Sequence, residues 1–253
     1  MLIAVAGASG RLGHHLVDVL QERGHGVVPI SRTHGIDLTT AVGLEQALAG
    51  ADGIIDAATW PTPDRDAATS FFTTATRNLH EAGQAAGVRR MLVVSIVGVD
   101  RLKGDYQTAK VAQERAALAG PVPTRVVRAT QFHEFVGQLL DWGTQGETAY
   151  LPDMRTQLVA ARSVAEVLVD EVTAPDFPRQ DGPALEVGGP RPENLVDMAT
   201  LLAARRGRPA KVEIGSHPAD PDVEANASGV LLPGPGAILV GPTFEDWLET
   251  AEV

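Results

Sequence analysis

Tyr106 and Lys110 stand four residues apart in Tyr106-Gln107-Thr108-Ala109-Lys110, and on a helix that spacing puts both side chains on one face. A phenol ionises near pH ~10, so it handles protons poorly at neutrality unless an adjacent ammonium stabilises its phenolate. Lys110, one turn on, is expected to do this and to donate to a cofactor ribose. Ser95 ends the apolar run Met91-Leu92-Val93-Val94-Ser95, as a buried parallel strand does when its carboxyl end meets a ligand.

Nearer the amino end, Gly7-Ala8-Ser9-Gly10-Arg11-Leu12-Gly13 follows the apolar run Leu2-Ile3-Ala4-Val5-Ala6 and opens an amphipathic stretch over 14–23. Strand, glycine turn and helix in that order bring bare backbone against a diphosphate, held by the unpaired N–H groups at the positive end of the helix. A dinucleotide cofactor is therefore expected. Its kind is read from charge. The second strand, Val27-Val28-Pro29-Ile30, runs into Ser31-Arg32, and the first carboxylate after it is Asp37. Arg32 offers a planar fork and Ser31 a second donor for the 2′-phosphate of NADP(H), preferred here over NAD(H), and Arg11 adds a second positive charge.

The elements that must position these groups alternate along the chain. Helices are expected over 40–48, 64–86, 108–118 and 131–142, with strands at Gly53-Ile54-Ile55-Asp56-Ala57-Ala58 and Thr124-Arg125-Val126-Val127-Arg128. A very short third strand is read before Asp37-Leu38. This is an α/β pattern, a Rossmann-type doubly wound parallel sheet with its ligand outside the carboxyl ends of the strands. Small residues after the strand at 53–58, Ala57, Ala58 and Thr59, are expected to line the pocket.

Beyond about residue 145 proline and glycine interrupt more often. Helices are read over 164–172 and 194–205, with Pro175-Asp176-Phe177-Pro178 ending the first of them. A short strand is read at Ala184-Leu185-Glu186-Val187, a loop over 217–241 and a closing helix over 244–250. The expectation is a single NAD(P)-binding domain, 1–253, with a Rossmann core over 1–145. Residues 146–253 then supply the last sheet elements and a small substrate-covering lobe.

The spacing GxxGxxG, and Val93-Val94-Ser95-Ile96-Val97-Gly98-Val99-Asp100 followed by Tyr106, Lys110 and Ala112-Gln113-Glu114, resemble the atypical short-chain dehydrogenase/reductases of the NmrA-like branch. Arg128-Ala129-Thr130-Gln131-Phe132-His133-Glu134-Phe135 is similar to their segment after the sixth strand. The resemblance implies that Gly7, Ser9, Gly10, Arg11, Leu12 and Gly13 cradle the diphosphate and that Asp37 and Leu38 meet the adenine. It further implies that Thr130, Gln131 and Phe132 border the nicotinamide, that Ser95 polarises a substrate carbonyl, and that Tyr106 donates its proton with support from Lys110. Phe72 stands near where many members place a relay asparagine. Asn78, on the same helix, reads equally as a substitute or as a structural hydrogen-bonder.

Other classes find less support. A net charge of −11 leaves no basic excess for nucleic acid, no apolar run is long enough to span a membrane, and zero cysteines exclude disulfides and thiolate chemistry. The first apolar stretch reads as a strand rather than a leader, so a cytoplasmic protein is expected, as monomer or homodimer. No metal site is expected, since the adjacent His14 and His15 cannot face one ligand. His133 either reaches the substrate cavity or is structural, and Trp60, Trp142 and Met154 are pocket walls or core. The expected activity is NADP(H)-dependent hydride transfer to or from a carbonyl or conjugated carbon of a small organic molecule. The alternatives are a non-catalytic NADP(H) sensor and a dinucleotide-dependent isomerase or epimerase.

Overall fold

The structure is a computed structural model that describes residues 1–60, 62, 64–177, 179–215 and 220–251. Pro178 and His217 lie outside the described residues. The chain opens with β1 (Leu2–Ala6), α1 (Arg11–Glu22), β2 (Gly26–Ile30), α2 (Leu44–Leu48), β3 (Gly53–Asp56) and α3 (Arg65–Ala85). It continues with β4 (Met91–Ile96), α4 (Asp105–Ala119), β5 (Thr124–Ala129), α5 (His133–Gly143), β6 (Thr144–Gln145), β7 (Thr148–Leu151), β8 (Arg155–Thr156) and α6 (Ala161–Thr173). Last come β9 (Leu185–Gly188), β10 (Glu193–Asn194), α7 (Leu195–Arg206), β11 (Lys211–Ile214), α8 (Val223–Ala227), β12 (Ile238–Leu239) and α9 (Phe244–Thr250).

A seven-stranded sheet has the order β12-β9-β5-β4-β3-β1-β2, the doubly wound α/β fold expected from the alternation. The chain divides into two compact units. The first comprises Met1–Ser95, Asp105–Arg128 and Val164–Leu185; the second comprises Ile96–Gly104, Ala129–Ser163 and Glu186–Val253.

In the first unit the register sets the place of the chemistry. Ala6 of β1 lies opposite Ile30 of β2 and Asp56 of β3, so Gly7, Ser31 and Ala57 leave the sheet side by side at its carboxyl edge. The core beneath is apolar and closed, with Ile30, Leu44, Leu48, Ile54, Leu79 and Met91 fully buried. Asp64 caps α3 by accepting from the Ala67 N–H (2.9 Å), which explains why that helix starts at Arg65. Arg90 ties the end of α6 to the sheet, donating to the carbonyls of Val172 in its last turn (2.9 Å) and of Ala174 just after it (2.6 Å).

Several expectations are corrected. The helix read over 40–48 begins only at Leu44, because Ala41 (φ 58°) and Gly43 (φ 78°) both take the left-handed conformation and break the turn before it. No third strand lies between β2 and Asp37; residues Arg32–His34 form a 3-10 turn closed by Gly35 at φ 79°. α4 starts at Asp105, α5 at His133, and α6 spans Ala161–Thr173, three residues earlier than read. The stretch read as loop over 217–241 contains α8 and β12.

The second unit has its own core of Leu140, Leu158, Leu195, Leu202 and Phe244. It also holds a small sheet, β11-β7-β6, that the sequence reading did not anticipate. α7 is capped by the Asn194 side chain on the Val196 N–H and ends at Gly207 in the left-handed conformation. Among the described residues no helix is long and apolar enough to cross a membrane.

Candidate active site

The three glycines of the first turn do different work. A β-carbon on Gly7 (φ 80°) would come within 2.8 Å of the Ala57 carbonyl oxygen, and one on Gly13 within 2.0 Å of the Gly7 carbonyl oxygen. These two exist for close packing of β1, α1 and the turn after β3. Gly10 has an ordinary φ of −82°, and its β-carbon would meet only the Gly7 oxygen, at 3.1 Å. No side chain caps α1 and no acidic residue stands in its first turn. A bare outer face over an uncapped helix start fits a diphosphate. Leu12 is buried beneath this loop, whereas Ser9 and Arg11 are exposed on it.

At the end of β2, Ser31 is nearly buried and its hydroxyl is engaged by Thr33 Oγ1 (2.8 Å) and His34 Nδ1 (2.7 Å), while Arg32 is exposed. Asp37 accepts from the Thr39 hydroxyl (2.7 Å) and backbone N–H (2.8 Å), which hold its carboxyl below the usual range. Leu38 is fixed through its carbonyl, which accepts from Asn78 Nδ2 at 2.7 Å. Asn78 is thus the structural hydrogen-bonder of its two readings.

At the carboxyl end of β3, Thr59 Oγ1 and Tyr106 Oη are 2.7 Å apart. The expected pairing of Tyr106 with Lys110 is corrected. The Lys110 ammonium donates to the Val94 carbonyl (2.7 Å) and to Gln113 Oε1, and lies 4.8 Å from the centre of the Phe72 ring. Tyr106 meets that same ring edge-on, with centroids 5.7 Å apart. Phenol and ammonium have different partners, Thr59 after β3 for one and the Val94 carbonyl of β4 for the other, and both contact the Phe72 ring. Burial therefore raises the phenol's pKa, opposed only by the Thr59 hydrogen bond. Burial also lowers Lys110 to about 8, against the pull of Asp56 and Glu114.

Ser95 is buried, and its hydroxyl has no hydrogen-bond partner among the described residues. Trp60 is half-exposed against Phe71. The sequence reading assigned no role to Asp56, Gln113 or the pair Glu114–Arg128, in which both carboxylate oxygens accept from the guanidinium at 2.9 and 2.8 Å. These contacts join strands to α4 across long sequence separations, so periodicity carries no trace of them.

Thr130, Gln131, Phe132, His133 and Met154 belong to the second unit. The Thr130 hydroxyl donates to the Gln157 carbonyl, Gln131 Oε1 accepts from Thr156, and Phe132 bridges to Val159. Met154 packs with the Leu195 cluster. His133 is fully buried between Phe244 and Trp247, with its Nε2 on the Pro242 carbonyl at 3.2 Å, and is a packing residue rather than a substrate contact. Burial lowers its pKa from 6.5 to about 4. The unfolded chain therefore binds the proton first, and stability is complete above pH 6.5 and falls as pH drops towards 4, by up to about 3 kcal/mol. Urea unfolding across that window is expected to show the loss, and His133→Gln to flatten it. An equal slope in the variant assigns the loss elsewhere.

Among the described residues no group of three or more His, Asp or Glu is arranged to hold a metal ion. The model of the NAD dependent epimerase/dehydratase family matches residues 3–127, just under half of the chain. No curated protein sequence matches significantly. Among solved structures, MoeE5 in complex with UDP-glucose and NAD is 23% identical, with 99% of this chain and 97% of that one covered at a TM-score of 0.72. A dTDP-4-dehydrorhamnose reductase from Bacillus anthracis, in complex with NADP, is 17% identical over 98% and 97% of the two chains, TM-score 0.72. A short-chain dehydrogenase/reductase superfamily protein from Agrobacterium tumefaciens, with bound NAD, is 18% identical over 98% and 95%, TM-score 0.68. The chain thus has the fold of these dinucleotide-binding proteins, and over residues 3–127 it is similar in sequence to the NAD dependent epimerase/dehydratase family.

Proposed function

We propose that the chain is a short-chain dehydrogenase/reductase of the NmrA-like branch that uses NADP(H) to move hydride to or from a carbonyl or conjugated carbon of a small organic molecule. The observation that carries this reading is the bare Gly10 face over the uncapped start of α1, in one unit with the Tyr106–Thr59 hydroxyl pair. Bound there, the nicotinamide supplies or accepts the hydride. The N–H groups at the start of α1 hold the diphosphate, since those of Gly7, Ala8 and Gly10 already donate to the Ile30 and Gly7 carbonyls; Arg32 and Ser31 face the 2′-phosphate, and Asp37 faces the adenine. Lys110 has two of its three N–H donors committed and keeps one for a ribose hydroxyl. Burial raises the Tyr106 pKa, so the phenol is protonated at neutrality and its O–H is the group that donates to a carbonyl oxygen when a substrate is reduced. Thr59 returns a proton to the phenol from solvent.

Oxidation of NADPH in a screen of quinones, enones and ketones tests the activity. Arg32→Ala is expected to reduce the preference for NADPH by about one to two powers of ten, the loss of a charge-assisted contact of roughly 1.5–3 kcal/mol, and to leave NADH binding nearly unchanged. Equal affinity of the unmodified protein for both dinucleotides, measured by fluorescence titration, sinks the NADP(H) assignment. The match to the epimerase family favours a second reading, an isomerase that uses its dinucleotide transiently. Cofactor that stays bound through purification supports that reading.

A further inference from the structure

Three side chains form a continuous buried chain in the first unit. Asp56 is 1% exposed; one of its oxygens accepts from the Ala58 N–H and the other from Gln113 Nε2, both at 3.0 Å. Gln113 Oε1 in turn accepts from the Lys110 ammonium, which also donates to the Val94 carbonyl. Each link has a single chemical sense. A carboxylate only accepts and an ammonium only donates, so the amide of Gln113 must turn its NH2 to Asp56 and its oxygen to Lys110. The neighbouring carboxylate on α4, Glu114, is taken up by Arg128 with both oxygens and does not compete. Opposite charges buried at the two ends of one amide are tolerable only while every donor meets an acceptor, so a mismatch at one end is felt at the other.

We propose that Asp56 is the positioning residue for both proton-handling arms of the site: through Gln113 it fixes the Lys110 ammonium, and through the Ala58 N–H it fixes the turn that presents Thr59 to Tyr106. The inference rests on the reading of this site as a dinucleotide-dependent enzyme. It assigns Asp56 a role without contact with substrate or cofactor.

Moving the carboxylate one place along the chain tests it. D56N leaves one oxygen for two donors, so its NH2 faces either the Gln113 NH2 or the Ala58 N–H, and if the glutamine amide turns over, its NH2 meets the ammonium instead. Q113E alone brings two carboxylates together. In D56N/Q113E all contacts match again, since the introduced amide accepts from Ala58 and donates to the carboxylate at position 113, which accepts from Lys110. NADPH is titrated by fluorescence at a temperature where circular dichroism shows the proteins folded. Each single substitution is expected to weaken binding about tenfold or more, and the double variant to return within about threefold of the unmodified protein. A double variant no better than the singles overturns the proposal, and so does a folded D56N of unaltered affinity. If the unmodified protein binds no dinucleotide, the functional reading fails instead. Melting temperatures then decide the linkage alone: low in the singles and restored in the double upholds it, and any other order overturns it.

Discussion

Tyr106→Phe is expected to lower turnover by about two to four powers of ten and to leave NADPH affinity unchanged, because the change deletes the proposed acid and keeps the ring. The ring retains its edge contact with Phe72, and the Thr59 hydroxyl left behind is exposed and takes water as its partner. The loss should thus appear in kcat, with cofactor titration and melting temperature as controls. Hydride transfer at full rate in the variant removes Tyr106 from the mechanism. Tight NADPH binding by the unmodified protein, with no compound reduced in a broad screen, favours a sensor of the dinucleotide over an enzyme.

Gly10→Val is expected to abolish dinucleotide binding while the protein stays folded. The backbone at Gly10 has a φ open to any residue, and the added carbons point into space bounded only by the Gly7 oxygen. They occupy the place proposed above for the diphosphate. Gly13→Ala makes the opposite case, since its methyl group would sit 2.0 Å from the Gly7 carbonyl oxygen and force the turn apart. Calorimetric titration and thermal melting of the two variants separate these effects. Normal binding by Gly10→Val reduces the glycine turn to a packing device.

The glycine turn was legible in the sequence because its signal is local: an apolar strand, three glycines at fixed spacing and an amphipathic helix. Which glycines pack and which keeps an open face was not, since that depends on Ala57 and Ala58, fifty residues further on. Tyr106 and Lys110 were recognised by spacing, but a shared helical face does not fix the partners of two long side chains, here Thr59 for one and Val94 and Gln113 for the other. Asn78 and His133 show the same limit. Their residue types suit chemistry, and only their tertiary partners, the Leu38 carbonyl and the rings of Phe244 and Trp247, reveal them as structural. In the second unit the strands are short, and β11 carries polar and apolar residues that are mostly exposed, so hydropathy periodicity had little to register.

Arg90 also bears on the order in which the chain becomes a protein. Its guanidinium needs the carbonyls of Val172 and Ala174, and β5 likewise takes the Gln180 side chain on its Val126 N–H at 2.7 Å. On a ribosome the glycine turn, the Tyr106 helix and most of the sheet therefore emerge long before the segment that closes beneath them. The nascent first unit waits, without the partners of Arg90 and Val126, while residues 129–163 of the second unit are made, and it is completed before 186–253 of that unit are translated.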